Sequence, residues 1–339
     1  MPELRKDPTN NHWVIISAER ANRPTHNNWR TTPAATAPCP FCPGNEDKTP
    51  PEILAFRPDG SKANVSGWTV RVVPNKFPAL IMQSGLERRR EGAYELINGF
   101  GVHEVIIETP EHVTNTAFLD EKQLANIFWV YRRRILDLKK DKRLRYIQIF
   151  KNQGVEAGAT VEHAHSQLMA LPMIPANVMA KLNGAKRYYR SKGRCVYCDM
   201  IRREMQGQAR LVSESEHFLV ICPFASRFPF ETWILPKRHS LYFEYGSKQT
   251  YVDLARCFKM TLTRLNRLLN DPPLNYVIHS YPGSGSRRRA GKTSKDHYHW
   301  HIEITPRLTE LGGFEQSSGF YINTVSPERS AATLREIAL

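Results

Sequence analysis

One order of residues occurs twice along this chain, and that duplication limits what it can fold into. In the first half, Cys39-Pro40-Phe41-Cys42 precedes a β-branched run, Val105-Ile106-Ile107-Glu108-Thr109-Pro110, which ends in Glu111-His112. His163-Ala164-His165-Ser166-Gln167 then enters Leu168-Met169-Ala170-Leu171-Pro172. In the second half, Cys195-Val196-Tyr197-Cys198 precedes Thr232-Trp233-Ile234-Leu235-Pro236, which ends in Arg238-His239. His299-Trp300-His301-Ile302-Glu303 then enters Ile304-Thr305-Pro306. The intervening segments correspond too. Residues 121–139 and 251–269 carry apolar positions at helical spacing, and each is followed by a strand pattern, Tyr146–Phe150 and Asn275–His279. Strands before and after each helix predict an α+β chain: a duplicated unit, two antiparallel sheets, with helices on one face. The expected domains are 1–175 and 190–339, with a boundary near 175–193, where Pro172 and Pro175 lead into a polar, basic stretch.

Each copy offers four nitrogen and sulfur donors. A Cys-x-x-Cys turn presents two thiolates, and two histidines close a tetrahedral shell. Cys39, Cys42, His112 and His163 form the first expected zinc set; Cys195, Cys198, His239 and His299 form the second. His297, His299 and His301 alternate, and His299 is taken because it aligns with His163 when Glu303 is matched to Gln167. The lone Cys222 and Cys257 sit in apolar surroundings and read as packing residues.

His163, His165 and Gln167 alternate on a strand, so they share one face at a spacing of ~6.6–7 Å. A neutral imidazole is a good nucleophile toward phosphorus near neutral pH. Attack on the α-phosphorus of a nucleotide sugar gives a phosphoramidate and frees the sugar phosphate. Gln167 is placed to donate an amide hydrogen to a non-bridging oxygen. Just upstream, the loop Asn152 to Thr160 contains Gly154 and Gly158, which let backbone amides approach phosphate closely. Arg20 and Arg23 supply guanidinium groups. The formal net charge of +15 suits an anionic ligand, although its basic residues are scattered.

These motifs resemble the galactose-1-phosphate uridylyltransferase family, a branch of the histidine-triad superfamily. The likeness spans nearly the whole chain. It includes Arg20-Ala21-Asn22-Arg23-Pro24, Val73-Pro74-Asn75-Lys76-Phe77-Pro78, Pro110-Glu111-His112, Asn152-Gln153-Gly154, His163-Ala164-His165-Ser166-Gln167 and Leu235-Pro236-Lys237-Arg238-His239. The resemblance implies ping-pong exchange of UMP between UDP-glucose and galactose 1-phosphate. His165 would be the nucleophile, His163 a metal ligand and Gln167 the motif glutamine. Nucleotide and phosphate contacts would fall on Arg20, Arg23, Asn75, Asn152, Gly158 and Thr160. It also implies a homodimer whose subunits share residues. The familiar bacterial members read His-Pro-His-Gly-Gln and lack the second Cys-x-x-Cys. The tail carrying Phe314 and Glu315 looks more like a relative that transfers adenylyl from ADP-glucose to phosphate, which places these two residues at the substrate.

Other function classes fit less well. Histidine-triad hydrolases carry a third His where Gln167 stands. A nucleic-acid-binding zinc module would have compact Cys-x-x-Cys spacing, whereas these pairs lie far apart. No stretch approaches the ~20 apolar residues of a membrane span, and no leader-like run opens the chain, so a cytoplasmic protein is expected.

Overall fold

A computed structural model describes residues 1–22, 38–83, 85–283 and 297–339. The N-terminal segment carries β1 (Glu3–Lys6), β2 (Trp13–Ile16), β3 (Leu54–Phe56), β4 (Val70–Pro74), β5 (Arg88–Glu91), β6 (Tyr94–Ile97) and β7 (Val102–Ile107). Helix α1 (Glu121–Leu138), β8 (Tyr146–Gln153) and β9 (His165–Leu171) complete the first half. The second half contains α2 (Ala176–Lys192), α3 (Val196–Gly207), β10 (Leu211–Glu214), β11 (Phe218–Ile221), β12 (Thr232–Pro236), α4 (Lys248–Leu269), β13 (Leu274–His279) and β14 (His301–Pro306). The tail adds α5 (Gly313–Ser318), β15 (Tyr321–Asn323) and α6 (Pro327–Glu336).

The α+β class and the antiparallel pairing are as expected, but the two sheets are not separate. Ten strands run in the order β10-β11-β12-β14-β13-β8-β9-β7-β4-β3. Each half supplies five, and the halves join where β8 pairs antiparallel with β13, Ile149 opposite Ile278. Unpaired backbone at two sheet edges is costly to leave exposed, and pairing them satisfies both rows. A second sheet, β1-β2-β15, ties the N-terminus to the tail.

Strand alternation sorts the core. Ile106, Leu168, Ala170, Val220, Ile234, Ile302 and Ile304 face α1 and α4, whose apolar stripes pack together in one cluster spanning both halves. The Asp120 carboxylate caps α1 by accepting from Gln123 N (2.6 Å), and the Ser247 hydroxyl caps α4 by accepting from Thr250 N (3.1 Å). The opposite face differs between halves. In the second half Leu219, Ile221, Trp233 and Leu235 are covered by Val178, Leu182 and Ala185 of α2 and by Val196 and Ile201 of α3. The expectation of helices on one face therefore holds for α1 and α4, joined by Ala331 and Leu334 of α6, but not for α2 and α3. The basic stretch read as a boundary is itself helix α2, because Val178, Leu182 and Ala185 recur at helical spacing beneath its charged residues. Gly184 allows this helix to approach the Thr9 backbone, where a Cβ would stand 2.0 Å from the carbonyl oxygen. In the first half no helix covers the equivalent face of β9 among the described residues; Phe41 and Ala55 pack beside Val73, Val105 and Ile107.

Candidate functional site

The first-half cluster assembles from three loops around the start of β9. Cys42 Sγ lies 3.3 Å from His112 Nδ1 and 3.6 Å from His163 Nδ1; Cys39 Sγ lies 3.6 Å from His163 Nδ1. A tetrahedral ion with bonds of ~2.0–2.3 Å holds its ligands roughly 3.3–3.8 Å apart. These three separations match that range, and all four ligand atoms lie within 4.8 Å of one another. The His163 Nε2–H donates to Thr109 O (2.8 Å), which leaves the Nδ1 lone pair facing the sulfurs. That outer hydrogen bond is the usual means of fixing a metal-binding imidazole. Burial holds the His163 pKa down to about 4, which keeps the ring neutral and able to coordinate. Burial and the neighbouring Cys39 push the Cys42 thiol up to about 11 in the metal-free chain; a bound cation reverses that by favouring the thiolate.

The second-half cluster repeats this geometry. Cys198 Sγ lies 3.3 Å from His239 Nδ1 and 3.7 Å from His299 Nδ1, and His299 Nε2–H donates to Pro236 O (2.7 Å). The ligand atoms of Cys195, Cys198, His239 and His299 all fall within 4.8 Å of one another. Cys195 sits at the N-cap of α3. The structure thus groups His299 with the cysteines, whereas His301 turns away from them.

Beside the first cluster stands His165, 7 % exposed. Its Nδ1–H donates to the His163 carbonyl (2.8 Å), so the lone pair resides on Nε2. No donor or acceptor among the described residues meets that nitrogen. The Phe41 ring, from the Cys39–Cys42 turn, packs edge-on against the His165 ring at 5.3 Å between centroids. The Cys39–Cys42 turn and the His163 backbone therefore both set this imidazole. Burial, then the ammonium of Lys151, lower its pKa, which favours a neutral ring.

Ser166, between His165 and Gln167, faces the other way. Its Oγ accepts from Tyr131 Oη (2.6 Å), which also contacts Tyr276 Oη (2.7 Å) and Glu108 Oε1 (3.0 Å). Lys151 Nζ donates to Glu108 Oε2 at 2.6 Å, and both side chains are fully buried. Lys151 and its hydrogen-bonding tyrosines hold the Glu108 carboxyl below its usual range against the desolvation that would raise it. This closed polar network under β9 was not read from the sequence; its one hint was a Glu and a Lys at strand positions otherwise apolar.

The other expected contacts divide into two groups. Asn152 Oδ1 accepts from Asn275 Nδ2 (2.9 Å), and the same amide donates to Ala157 O (2.8 Å), so β13 of the second half supports the loop of the first. Gly158 closes that loop at φ +87°, a left-handed conformation suited to glycine, and Thr160 is exposed. Asn75 follows β4 and lies close to His103 on β7, a residue the sequence reading missed. Arg20, exposed in a 3₁₀ turn after β2, and Phe314 and Glu315 on α5 belong with the small sheet, since β15 pairs with β2. The structure does not bring these three to β9 through any described contact. Arg23 lies outside the described residues.

In the second half His301 and Glu303 occupy the strand positions that His165 and Gln167 hold in the first. His301 Nδ1–H donates to His299 O (3.0 Å), repeating the His165 arrangement. Here, however, Lys181 of α2 inserts its ammonium. It pairs with Glu303 and stands 3.3 Å from His279 Nε2 and 3.4 Å from His301 Nε2. Burial lowers the His301 pKa to about 3. Among the described residues, this copy is covered by α2, and the lysine ammonium occupies the side of His301 that carries Nε2.

Comparison with known proteins agrees with this architecture. The family models for the N-terminal and C-terminal domains of galactose-1-phosphate uridyl transferase match residues 1–175 and 181–311. The chain is 39% identical to ADP-glucose phosphorylase of Arabidopsis thaliana, covering 100% of this chain and 93% of that protein. It is 29% identical to galactose-1-phosphate uridylyltransferase of Thermotoga maritima, covering 99% and 98%. A crystal structure of the Arabidopsis thaliana ADP-glucose phosphorylase with bound ADP-glucose superposes with a TM-score of 0.84, covering 100% of this chain and 99% of that one. Among the described residues, no helix is long and apolar enough to cross a membrane. Two family models in the duplicated order, together covering most of the chain, and full-length likeness to both relatives establish that it belongs to the galactose-1-phosphate uridyl transferase family.

Proposed function

We propose that this enzyme is a nucleotidyl transferase that moves AMP from ADP-glucose to phosphate through a covalent adenylyl-His165 intermediate. The observation that carries the histidine step is the geometry of His165, whose Nδ1–H is committed to the His163 carbonyl while Nε2 has no partner among the described residues. In the first half-reaction Nε2 attacks the α-phosphorus. An N–P bond forms, the bond from α-phosphorus to the sugar phosphate oxygen breaks, and glucose 1-phosphate departs. In the second, a phosphate oxygen attacks the same phosphorus, the N–P bond breaks and ADP is released. Gln167 donates an amide hydrogen to a non-bridging oxygen as charge develops there. The loop at Asn152, Gly158 and Thr160 receives the diphosphate, with Asn75 beside it.

Support for the adenine base comes from the 39% identity to an ADP-glucose phosphorylase. A second reading, UMP exchange between UDP-glucose and galactose 1-phosphate, draws support from the full-length likeness to a uridylyltransferase and uses the same histidine step. Parallel assays separate the two. ADP-glucose with phosphate is expected to give a kcat/KM at least about tenfold above UDP-glucose with galactose 1-phosphate, a ratio within reach of one base-recognition contact. The reverse order would replace the first reading by the second.

Both four-donor clusters are assigned to zinc, which holds each Cys-x-x-Cys turn against its histidines and takes no part in the chemistry. The corresponding prediction is two zinc ions per chain by elemental analysis. Cys42→Ser should drop the content to about one and lower the thermal midpoint, since metal affinity and local folding are coupled. Zinc content unchanged by that substitution would remove the first site. Arg20, Phe314 and Glu315 are assigned to a homodimer, in which the small sheet presents them to the other subunit's substrate. Arg23 is assigned to the substrate with them.

A further inference from the structure

His103 has no role in the chemistry described so far, yet it touches two of the amides assigned to the substrate. It lies on β7 two positions from Val105, which pairs with Gln167 across the β7–β9 ladder. Diagonal neighbours on one face of an antiparallel pair are within reach of long side chains. His103 Nε2 is 2.8 Å from Gln167 Oε1, and the Ala79 backbone N–H donates to His103 Nδ1 at 3.2 Å.

These two contacts determine each other. Because Nδ1 accepts from a backbone N–H, a neutral ring carries its proton on Nε2. Nε2–H therefore donates to Gln167 Oε1 and identifies that atom as the oxygen, so the amide cannot be turned over without setting two donors against each other. The Gln167 NH2 is left at the opposite end of the amide, with no protein partner among the described residues. Asn75 offers the competing contact: Phe77 N–H donates to its Oδ1 (2.8 Å), so its NH2 faces the same ring nitrogen at 3.1 Å. The shorter, 2.8 Å contact to Gln167 Oε1 takes Nε2–H, and the Asn75 amide then makes no hydrogen bond to that nitrogen. An unrestrained glutamine amide presents oxygen or nitrogen about equally, and its oxygen would repel a phosphate.

We infer that His103 is a positioning residue that fixes the Gln167 amide with its NH2 toward the phosphoryl group transferred to His165. The inference rests on the nucleotidyl-histidine reading for its consequence in catalysis. His103 touches no reacting atom, so its effect travels through Gln167.

Four variants test it: His103→Leu, His103→Gln, His103→Glu and Gln167→Ala, with His103→Leu/Gln167→Ala as the double. The readouts are kcat and KM for the nucleotide sugar, with zinc content and thermal midpoint measured alongside. His103→Leu should lower kcat about 10–100-fold with KM changed less than about threefold, because the interaction matters most as charge develops. His103→Gln keeps an N–H near the Nε2 position and should recover kcat to within about fivefold of wild type. His103→Glu offers only acceptors when ionised, reverses the amide and should be the slowest of the three. In the Gln167→Ala background, His103→Leu should cost less than about threefold further, as expected of residues that act as a unit. A wild-type kcat in His103→Leu, no recovery in His103→Gln, or an undiminished loss on top of Gln167→Ala would each overturn the inference. Trapping of α-phosphate label on the wild-type enzyme keeps these failures distinct from failure of the histidine step itself: label that still accumulates on His165 leaves that step standing while the role of His103 falls.

Discussion

His165→Asn is expected to abolish group transfer, lowering kcat by at least about 10⁴-fold while the nucleotide sugar still binds. Removal of a nucleophile that forms a covalent intermediate takes away both half-reactions at once, and losses of this order or larger accompany such substitutions. Asn is the informative replacement because its amide can still donate to the His163 carbonyl, now held by His165 Nδ1–H at 2.8 Å, so the start of β9 keeps that tie. The proposed zinc ligands His163 and Cys42 are unaltered, so zinc content should equal that of wild type. Isothermal titration with ADP-glucose should give an affinity within a few-fold of wild type, since the loop proposed to receive the diphosphate is intact. Turnover within tenfold of wild type would remove His165 from the mechanism.

Lys151→Met carries the largest expected cost in stability. Lys151 and Glu108 pair at 2.6 Å with both side chains buried, and the pair anchors Tyr131 and Tyr276 beneath β9. Methionine has about the length of lysine but leaves Glu108 without its cation. Removing one partner of a buried ion pair costs about 3–5 kcal/mol, because the remaining charge is neither solvated nor neutralised. The midpoint of thermal unfolding should fall by at least about 5 °C. The pH dependence has a definite sign. In the wild type the Glu108 pKa lies below its usual value, so its contribution to stability is present above the unfolded pKa and disappears as pH falls through the folded one. In the variant burial raises the pKa, so Glu108 costs nothing at low pH and becomes costly as pH rises through the raised value. The gap between variant and wild type should therefore be widest near neutrality and narrow below about pH 5, approaching the ordinary glutamate range. A gap independent of pH would show that lost packing, not an unpaired carboxylate, is responsible.

The strand His163-Ala164-His165-Ser166-Gln167 and the two Cys-x-x-Cys turns were legible because their meaning is local. Alternation puts His165 and Gln167 on one face, and the structure has them facing away from α1 and α4. The 3.6-residue spacing marked α1 and α4 to within a few residues at either end. What stayed hidden depends on register between distant strands. Joining β8 to β13 turns two sheets into one, and nothing in either strand alone names its partner. His103 and Gln167 are 64 positions apart, and their contact follows only from how β7 lies against β9. Lys181 looks like one more charge in a basic stretch, yet α2 carries it into the second-half copy of the site. The same order of motifs occurs twice, yet among the described residues α2 and α3 cover this face of the sheet in the second half and no helix covers it in the first. That asymmetry is set by α2 and α3, whose role as a cover no residue-level motif announces.

The most direct test is to incubate the enzyme with ADP-glucose labelled in the α-phosphate, without phosphate, and to map the label by peptide. The account predicts about one equivalent of label per chain, stable to alkali and labile to acid, on the peptide containing His165, discharged as ADP when phosphate is added. Label on no residue, or on a residue other than His165, would contradict it.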